Sequence, residues 1–131
     1  MIHAALVRTF KLASLVATAA VVCVWLTAGP AAQAAAHDGR WSVLVITEQG
    51  PCDQAYRYEV AVADGKVKYA GVEKVDFSGT VAPAGAVTVR IRLGEQGASG
   101  SGKLAGDAGT GTWRGTGDSG HCAGRWEAER R

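Results

Sequence analysis

The sequence has little of what metal centres and most hydrolytic active sites are built from. Its 131 residues include only three cysteines, three histidines, three prolines and one methionine. No segment combines helical spacing of apolar residues with capping residues, which argues against a helical domain. Few cysteines and histidines are therefore available as transition-metal ligands, and we predict an all-β protein with no cofactor.

Charge is also missing from most of the beginning of the chain. Arg8 and Lys11 carry the only charges in the first 36 residues, and residues 12–27 are apolar or small. A proline and an Ala-x-Ala motif ending at Ala34 follow this run. A basic start, an apolar middle and a small-residue end predict a secretory signal peptide over residues 1–34. An uncleaved membrane anchor is the alternative, because the uncharged stretch is long enough to cross a bilayer.

Cleavage of this leader would leave one domain, residues 35–131, in the periplasm or outside the cell. A cut after Ala36 fits almost as well as a cut after Ala34, and the sequence does not decide between them. In either case we expect His37 to fray near the new terminus. After cleavage no segment that could span a membrane as a helix would remain.

The mature domain has no excess charge of either sign. The whole chain holds 14 Lys and Arg and 12 Asp and Glu, and two of the basic residues lie in the leader, which leaves 12 of each sign. A balanced charge gives no general attraction to polyanions. We therefore predict no nucleic-acid partner.

Only two cysteines, Cys52 and Cys122, lie outside the leader. In an oxidising compartment an even pair in a small domain predicts a disulfide. The bond would close a loop of about 70 residues and contribute about 4 kcal/mol in the chain-entropy model. A zinc site formed with His121 and Asp118 is the alternative, and it would need both thiolates free.

Alternation of apolar and polar residues runs through the mature domain and predicts short antiparallel strands. The first five are Arg40–Thr47, Ala55–Ala63, Lys66–Ala70, Val75–Val81 and Ala86–Leu93. Asp64-Gly65 between the second and third strands is a strong signal for a tight hairpin. Regular spacing predicts about eight strands in an up-and-down barrel, with a β-sandwich as the alternative. In a closed barrel Cys52 and Cys122 would meet at one rim, next to the seam between the first and last strands.

The last third of the chain is rich in glycine. Eleven of the 18 glycines lie between Gly94 and Gly124, in alternation with large residues such as Leu104, Trp113 and Trp126. A flexible linker and glycine-rich strands both fit this composition. The alternation favours strands, in which a Trp ring lies beside small neighbours inside a narrow barrel.

Five aromatic residues are candidates for either a ligand site or the core. Gly-x-Trp occurs three times, ending at Trp41, Trp113 and Trp126, and Tyr56 and Tyr58 share the inner face of the second strand. Core packing is the expected role, because a small domain needs its large rings for burial. The same rings would bind an apolar ligand if the interior were open, although the domain is too small for a large cavity.

The opening Gly39-x-Trp41, the hairpin, the glycine-rich late strands and the closing Trp126 resemble calycin-type barrels, the lipocalin and avidin group. With Gly50-Pro51-Cys52 in the first loop, the chain is similar to small periplasmic protease inhibitors of Gram-negative bacteria. The resemblance implies a secreted eight-stranded domain with one disulfide. No segment matches the residues with which those inhibitors contact proteases, so the resemblance assigns no binding residue.

The stretch from Asp118 to Cys122 gathers an acid, a serine and a histidine within five residues. A catalytic triad needs these groups oriented by separate parts of a scaffold, which one short loop rarely achieves. We therefore predict a binding module and not an enzyme. The partner would be a protein or a small apolar molecule, with protease inhibition as the most concrete case, and a structural or adhesive envelope component is the alternative.

Overall fold

Eight strands follow one another along the chain in the computed structural model, which describes residues 20–27, 29, 35–72 and 74–131. The strands are β1 Gly39–Gln49, β2 Ala55–Ala63, β3 Lys66–Tyr69, β4 Asp76–Val81, β5 Ala86–Leu93, β6 Gln96–Ala105, β7 Ala108–Gly117 and β8 Gly120–Arg130. Each strand pairs antiparallel with the next, and β8 pairs with β1. The predicted up-and-down barrel is confirmed, and the chain does not form the alternative sandwich.

Most of the predicted signal peptide lies outside the described residues. The described part, residues 20–27 and 29, forms neither helix nor strand. Within the described ranges, no helix has the length and apolar character needed to cross a bilayer.

The β2–β3 hairpin shows how local sequence sets the strand register. Asp64 and Gly65 both have positive φ, 52° and 74°. Two successive residues of this kind form the turn whose twist matches that of the flanking strands. Ala63 therefore pairs with Lys66, and the predicted hairpin is confirmed.

Glycines in β6 and β7 make room for the indole of Trp126, which reaches across from β8. A Cβ on Gly102 or on Gly111 would lie 2.5 Å from Cζ2 of Trp126, closer than real carbon contacts allow. The ring donates from Nε1 to the carbonyl oxygen of Ser101 at 3.3 Å. The glycine-rich stretch therefore forms strands that are part of the packing, as predicted.

We call the end of the barrel at which β1 begins the base, and the opposite end the mouth. The lower interior, toward the base, is lined by buried side chains. Trp41 is 1% exposed, and eight further buried residues complete the core: Val60, Val62, Val67, Val81, Val87, Leu104, Trp126 and Ala128. The base half of the barrel is therefore a packed core.

The base is closed from outside by Arg130 and by residues 35–38. The guanidinium of Arg130 lies 4.6 Å from the centre of the Trp41 ring. It also donates to the carbonyl oxygens of Ala36, at 2.7 Å, and of Asp38, while Nε1 of Trp41 donates to the carbonyl of His37 at 3.0 Å. These contacts join the segment before β1 to the end of β8 at the base.

The expectation that His37 frays is wrong. The side chain is 8% exposed, and its Nε2 donates to the carbonyl oxygen of Pro83 at 3.1 Å. The physical reason is that residues 35–38 lie against the base, where the ring fills space beside the β4–β5 turn.

The mouth is held by the predicted disulfide between Cys52 and Cys122, whose Cα atoms lie 6.1 Å apart. The bond joins the β1–β2 loop to the beginning of β8, next to the seam of the barrel. Because both sulfurs are used, the zinc alternative does not apply. Within the described ranges, no group of three or more His, Cys, Asp or Glu residues is arranged to hold a metal ion.

Candidate functional site at the mouth of the barrel

The interior contains a cavity of about 170 Å³, which extends from the mouth down to the nine core residues at its lower end. Its lining includes aliphatic side chains from two strands on opposite sides of the barrel, Val43 and Val45 of β1 and Val89 and Ile91 of β5. These four residues are only partly buried, unlike the core below them. Among the residues that the structure describes, no Asp, Glu, Lys or Arg lines the cavity, so none of them balances the charge of an ion there.

Four aromatic rings form a continuous series along the wall made by β2, β3 and β4. We call Tyr56, Tyr58, Tyr69 and Phe77 the aromatic row. Their ring centres follow one another at 6.2, 6.1 and 6.3 Å, the outer two pairs stacked and the middle pair edge to face. These spacings lie within the range in which aromatic pairs attract each other. Mutual contact therefore holds the row in place while one side of it lines the cavity.

Trp113 of β7 lies on the opposite wall, because β3 and β7 are four strands apart in the closed eight-stranded barrel. Its Nε1 donates to the carbonyl oxygen of Ile46 at 2.9 Å. That carbonyl reaches the ring because Gly124, the cross-strand neighbour of Trp113, has no side chain, and a Cβ there would overlap it. The register of β1 on β8 also shifts between Thr47 and Gln49. The indole is therefore fixed by a β-bulge and one glycine.

The cavity continues to the outside at the mouth. A second space of about 200 Å³ shares Tyr56, Tyr58, Phe77 and Trp113 with the interior cavity and reaches the rim at Cys52. The wall is weakest here, because β3 pairs with β4 at only two positions. The aromatic row lies beside this part of the wall, where Tyr69 of β3 and Phe77 of β4 stack on each other without backbone pairing at these positions.

Polar groups occupy the rim of the mouth. The hydroxyl of Tyr56 accepts a hydrogen bond from the backbone N–H of Asp53 at 3.1 Å. Nε2 of Gln96 donates to a carboxylate oxygen of Asp118 across the β5–β6 and β7–β8 turns. An apolar interior below a polar rim is the arrangement typical of sites for small, mostly apolar molecules.

The structure separates the five predicted aromatic candidates into two groups. Tyr56, Tyr58 and Trp113 line both the cavity and the mouth. Trp126, 8% exposed, forms part of the floor, and Trp41 lies deepest, as core. All five rings line the interior, and whether they bind a ligand there or only pack stays a prediction.

Sequence reasoning missed Tyr69 and Phe77 as members of the site. Both follow the alternation that places a side chain inside the barrel, and the cavity lining contains Phe77. The sequence did contain a signal for them, because the residues that alternation places inside the barrel are aromatic on three successive strands, β2, β3 and β4. That signal becomes visible only when the three strands are compared side by side.

The Asp118–Cys122 stretch does not assemble a triad. Asp118 bonds to Gln96, and His121 is an exposed residue of β8 whose cross-strand neighbour is Thr116. Among the described residues, no hydrogen bond joins Asp118, Ser119 and His121 into a set. The histidine lies on the outer surface, away from the cavity.

Comparison of the chain with protein-family models, with curated proteins and with solved structures finds no match.

Proposed function

We propose that this protein binds a small, uncharged, apolar molecule in the upper half of its barrel. The observation that carries the proposal is the open cavity of about 170 Å³, which is continuous with the mouth and has no charged side chain among the described residues of its lining. An apolar cavity of about 150 Å³ stays dry in water and takes up molecules of the size of benzene. A ligand that enters would exchange its contact with water for contact with apolar side chains, at about 25 cal/mol per Å².

The site is also preorganised, which lowers the cost of binding. The disulfide fixes the rim, the Ile46 carbonyl fixes Trp113, and the members of the aromatic row support each other. The resemblance of Gly39-x-Trp41 and its surroundings to calycin-type barrels implies the same location for a ligand. Little rearrangement is therefore needed when the cavity is occupied.

A filled-cavity variant tests this proposal. Ala98 of β6 lines the cavity, while Ser101 on the same strand is exposed outside. In calorimetric titrations with 2-naphthol and with decahydro-2-naphthol, the wild type and Ser101→Phe should bind at least one of them saturably. Ala98→Phe should abolish that binding while remaining folded. If neither alcohol binds the wild type at millimolar concentration, the proposal is wrong.

Protease inhibition and a structural or adhesive envelope role stay predictions from the sequence. Both would use the outer surface, which Ala98→Phe leaves unchanged because the new ring lies inside the barrel. An inhibitory or adhesive activity that survives in Ala98→Phe would therefore belong to the outer surface.

Export of the protein is a further part of the proposal, supported by the disulfide and by the pattern of residues 1–34. The carbonyl of Ala35 accepts a hydrogen bond from the N–H of Asp38 at 3.1 Å, and the carbonyl of Ala36 accepts one from Arg130. A cut after Ala34 keeps both bonds, and a cut after Ala36 removes both. The intact mass of the exported protein should therefore correspond to a start at Ala35. A membrane-retained product that still begins at Met1 would contradict export.

A further inference from the structure

We infer that the ligand of this site is a planar aromatic molecule of one or two rings, held between the aromatic row and Trp113. The inference rests on the proposed function and narrows it to a class of ligand. The inference is based on the chemistry of the cavity wall, in which two opposite sides carry aromatic rings and the two sides between them carry aliphatic side chains.

Two opposite sides of the cavity are aromatic. Tyr56, Tyr58 and Phe77 of the row line one side of the cavity, and Tyr69 lies between them and lines the mouth. Trp113 occupies the wall of β7, four strands from β3. Within the row, neighbouring ring centres already lie 6.1 to 6.3 Å apart, the range in which offset-stacked and edge-to-face pairs are favourable. A flat ring placed in the cavity would continue this series toward the indole.

The two remaining sides are aliphatic and β-branched. Val43 and Val45 of β1 face Val89 and Ile91 of β5 across the barrel. Methyl groups at these positions contact the edge of a flat molecule whose faces are turned toward the aromatic walls. A saturated ring of the same carbon skeleton is thicker, because hydrogens project from both faces. It also presents C–H groups instead of a π face to the aromatic walls, so it loses the ring-to-ring attraction.

Size and charge set the remaining limits on the ligand. A cavity of about 170 Å³ accommodates one ring, since about 150 Å³ is enough for benzene, and a second fused ring would extend into the adjoining space of about 200 Å³ at the mouth. The described residues of the lining include no charged group, so the ring system is uncharged, because an unpaired ion would be costly to bury. A polar substituent would point to the mouth, where Gln96 and Thr116 lie.

A matched pair of ligands tests the inference on the intact protein. 2-Naphthol and decahydro-2-naphthol share one carbon skeleton and one hydroxyl group, and differ in planarity and in aromatic character. We expect calorimetry to show at least tenfold tighter binding of 2-naphthol. Equal binding, or tighter binding of the saturated alcohol, would overturn the planar aromatic class and leave the apolar-ligand function standing. Failure of both alcohols to bind would overturn the proposed function itself.

Variants of the two kinds of wall sharpen the test. Phe77→Leu removes one ring of the aromatic row, and Trp113→Leu removes the ring of the opposite wall. Each keeps an apolar side chain and should lower the preference for 2-naphthol at least threefold. Ile91→Val shortens the aliphatic wall and should change the affinity for both alcohols by the same factor. If Trp113→Leu does not fold, Phe77→Leu still tests whether the aromatic rings set the preference for 2-naphthol. A preference unchanged in Phe77→Leu would contradict the role of the aromatic row.

Discussion

The two ends of the barrel are made from the same eight strands but are stabilised in different ways. At the base, Trp41 is 1% exposed and Arg130 covers it from outside. At the mouth, the rings of Tyr56 and Trp113 are only half buried, and a disulfide holds the rim together. The base is stabilised by packing, while the mouth is stabilised by a covalent bond and leaves part of its apolar surface open.

This difference shows how a domain of about 97 residues combines a core with a cavity. A small domain buries a limited share of its surface, so each unfilled volume weakens it. The disulfide closes a loop of 70 residues and thereby lowers the conformational entropy of the unfolded chain. This offsets part of the lost stability without filling the interior. The disulfide at Cys52 and Cys122 therefore makes an open mouth compatible with stability.

Trp41→Ala should have the largest effect, a loss of about 3–5 kcal/mol in the free energy of unfolding. The substitution empties the most buried ring site and removes the hydrogen bond to the carbonyl of His37. Urea unfolding followed by circular dichroism measures the loss, with Trp113→Ala at the mouth as the control. Because Trp113 is only half buried, its loss should be clearly smaller. Equal losses would mean that base and mouth do not differ in packing.

The double variant Cys52→Ser, Cys122→Ser should lose about 2–4 kcal/mol, the usual range for a long closed loop. Reduced wild type is the matched control and should unfold at nearly the same urea concentration as the variant. The variant should also bind 2-naphthol more weakly, because the bond fixes the rim of the mouth. A variant as stable as the oxidised wild type would show that packing alone holds the mouth.

The fold was predictable because its signals are local and repeated. Alternation marks the strands, Asp64-Gly65 sets one hairpin, and two cysteines in distant loops imply a common rim. The residues around Trp113 were not predictable in the same way. Its orientation depends on a bulge between Thr47 and Gln49 and on the inward carbonyl of Ile46, and neither follows from side-chain periodicity.

The aromatic residues of the site were predictable only where they lie on the same strand. Tyr56 and Tyr58 stand out because both lie on one strand, while Tyr69 and Phe77 join them only through the pairing of neighbouring strands. The burial of His37 required knowledge that residues 35–38 lie across the base. Contacts between distant segments are set by the closed barrel, not by the local pattern.

Arg130→Met should destabilise the base by about 2 kcal/mol, because charged hydrogen bonds to the carbonyls of Ala36 and Asp38 and the cation–π contact with Trp41 are lost. Arg125→Met is the control. Arg125 forms an exposed ion pair with Glu127, and such pairs contribute about 0–1 kcal/mol. Thermal unfolding of both variants compares the two arginines. Similar small losses would show that the arginine at the base covers Trp41 without stabilising it.

His121→Ala should have the smallest effect, although His121 lies within the stretch whose residue types most resemble an active site. The side chain is exposed at the beginning of β8, and its neighbour across the strands is Thr116. Asp118, the acid closest in sequence, bonds instead to Gln96. Surface substitutions of this kind change the free energy of unfolding by about 0.5 kcal/mol or less.

The affinity of His121→Ala for 2-naphthol should also stay within a few-fold of wild type, because the residue lies outside the cavity lining. Calorimetry and thermal unfolding on the same preparation check both expectations, with Phe77→Leu as the variant that must lose affinity. The prediction would be contradicted if His121→Ala lost an activity while its melting temperature stayed unchanged. Such a loss would place chemistry in the Asp118–Cys122 stretch, on the outside of the mouth. The mouth would then contain a functional site separate from the apolar cavity.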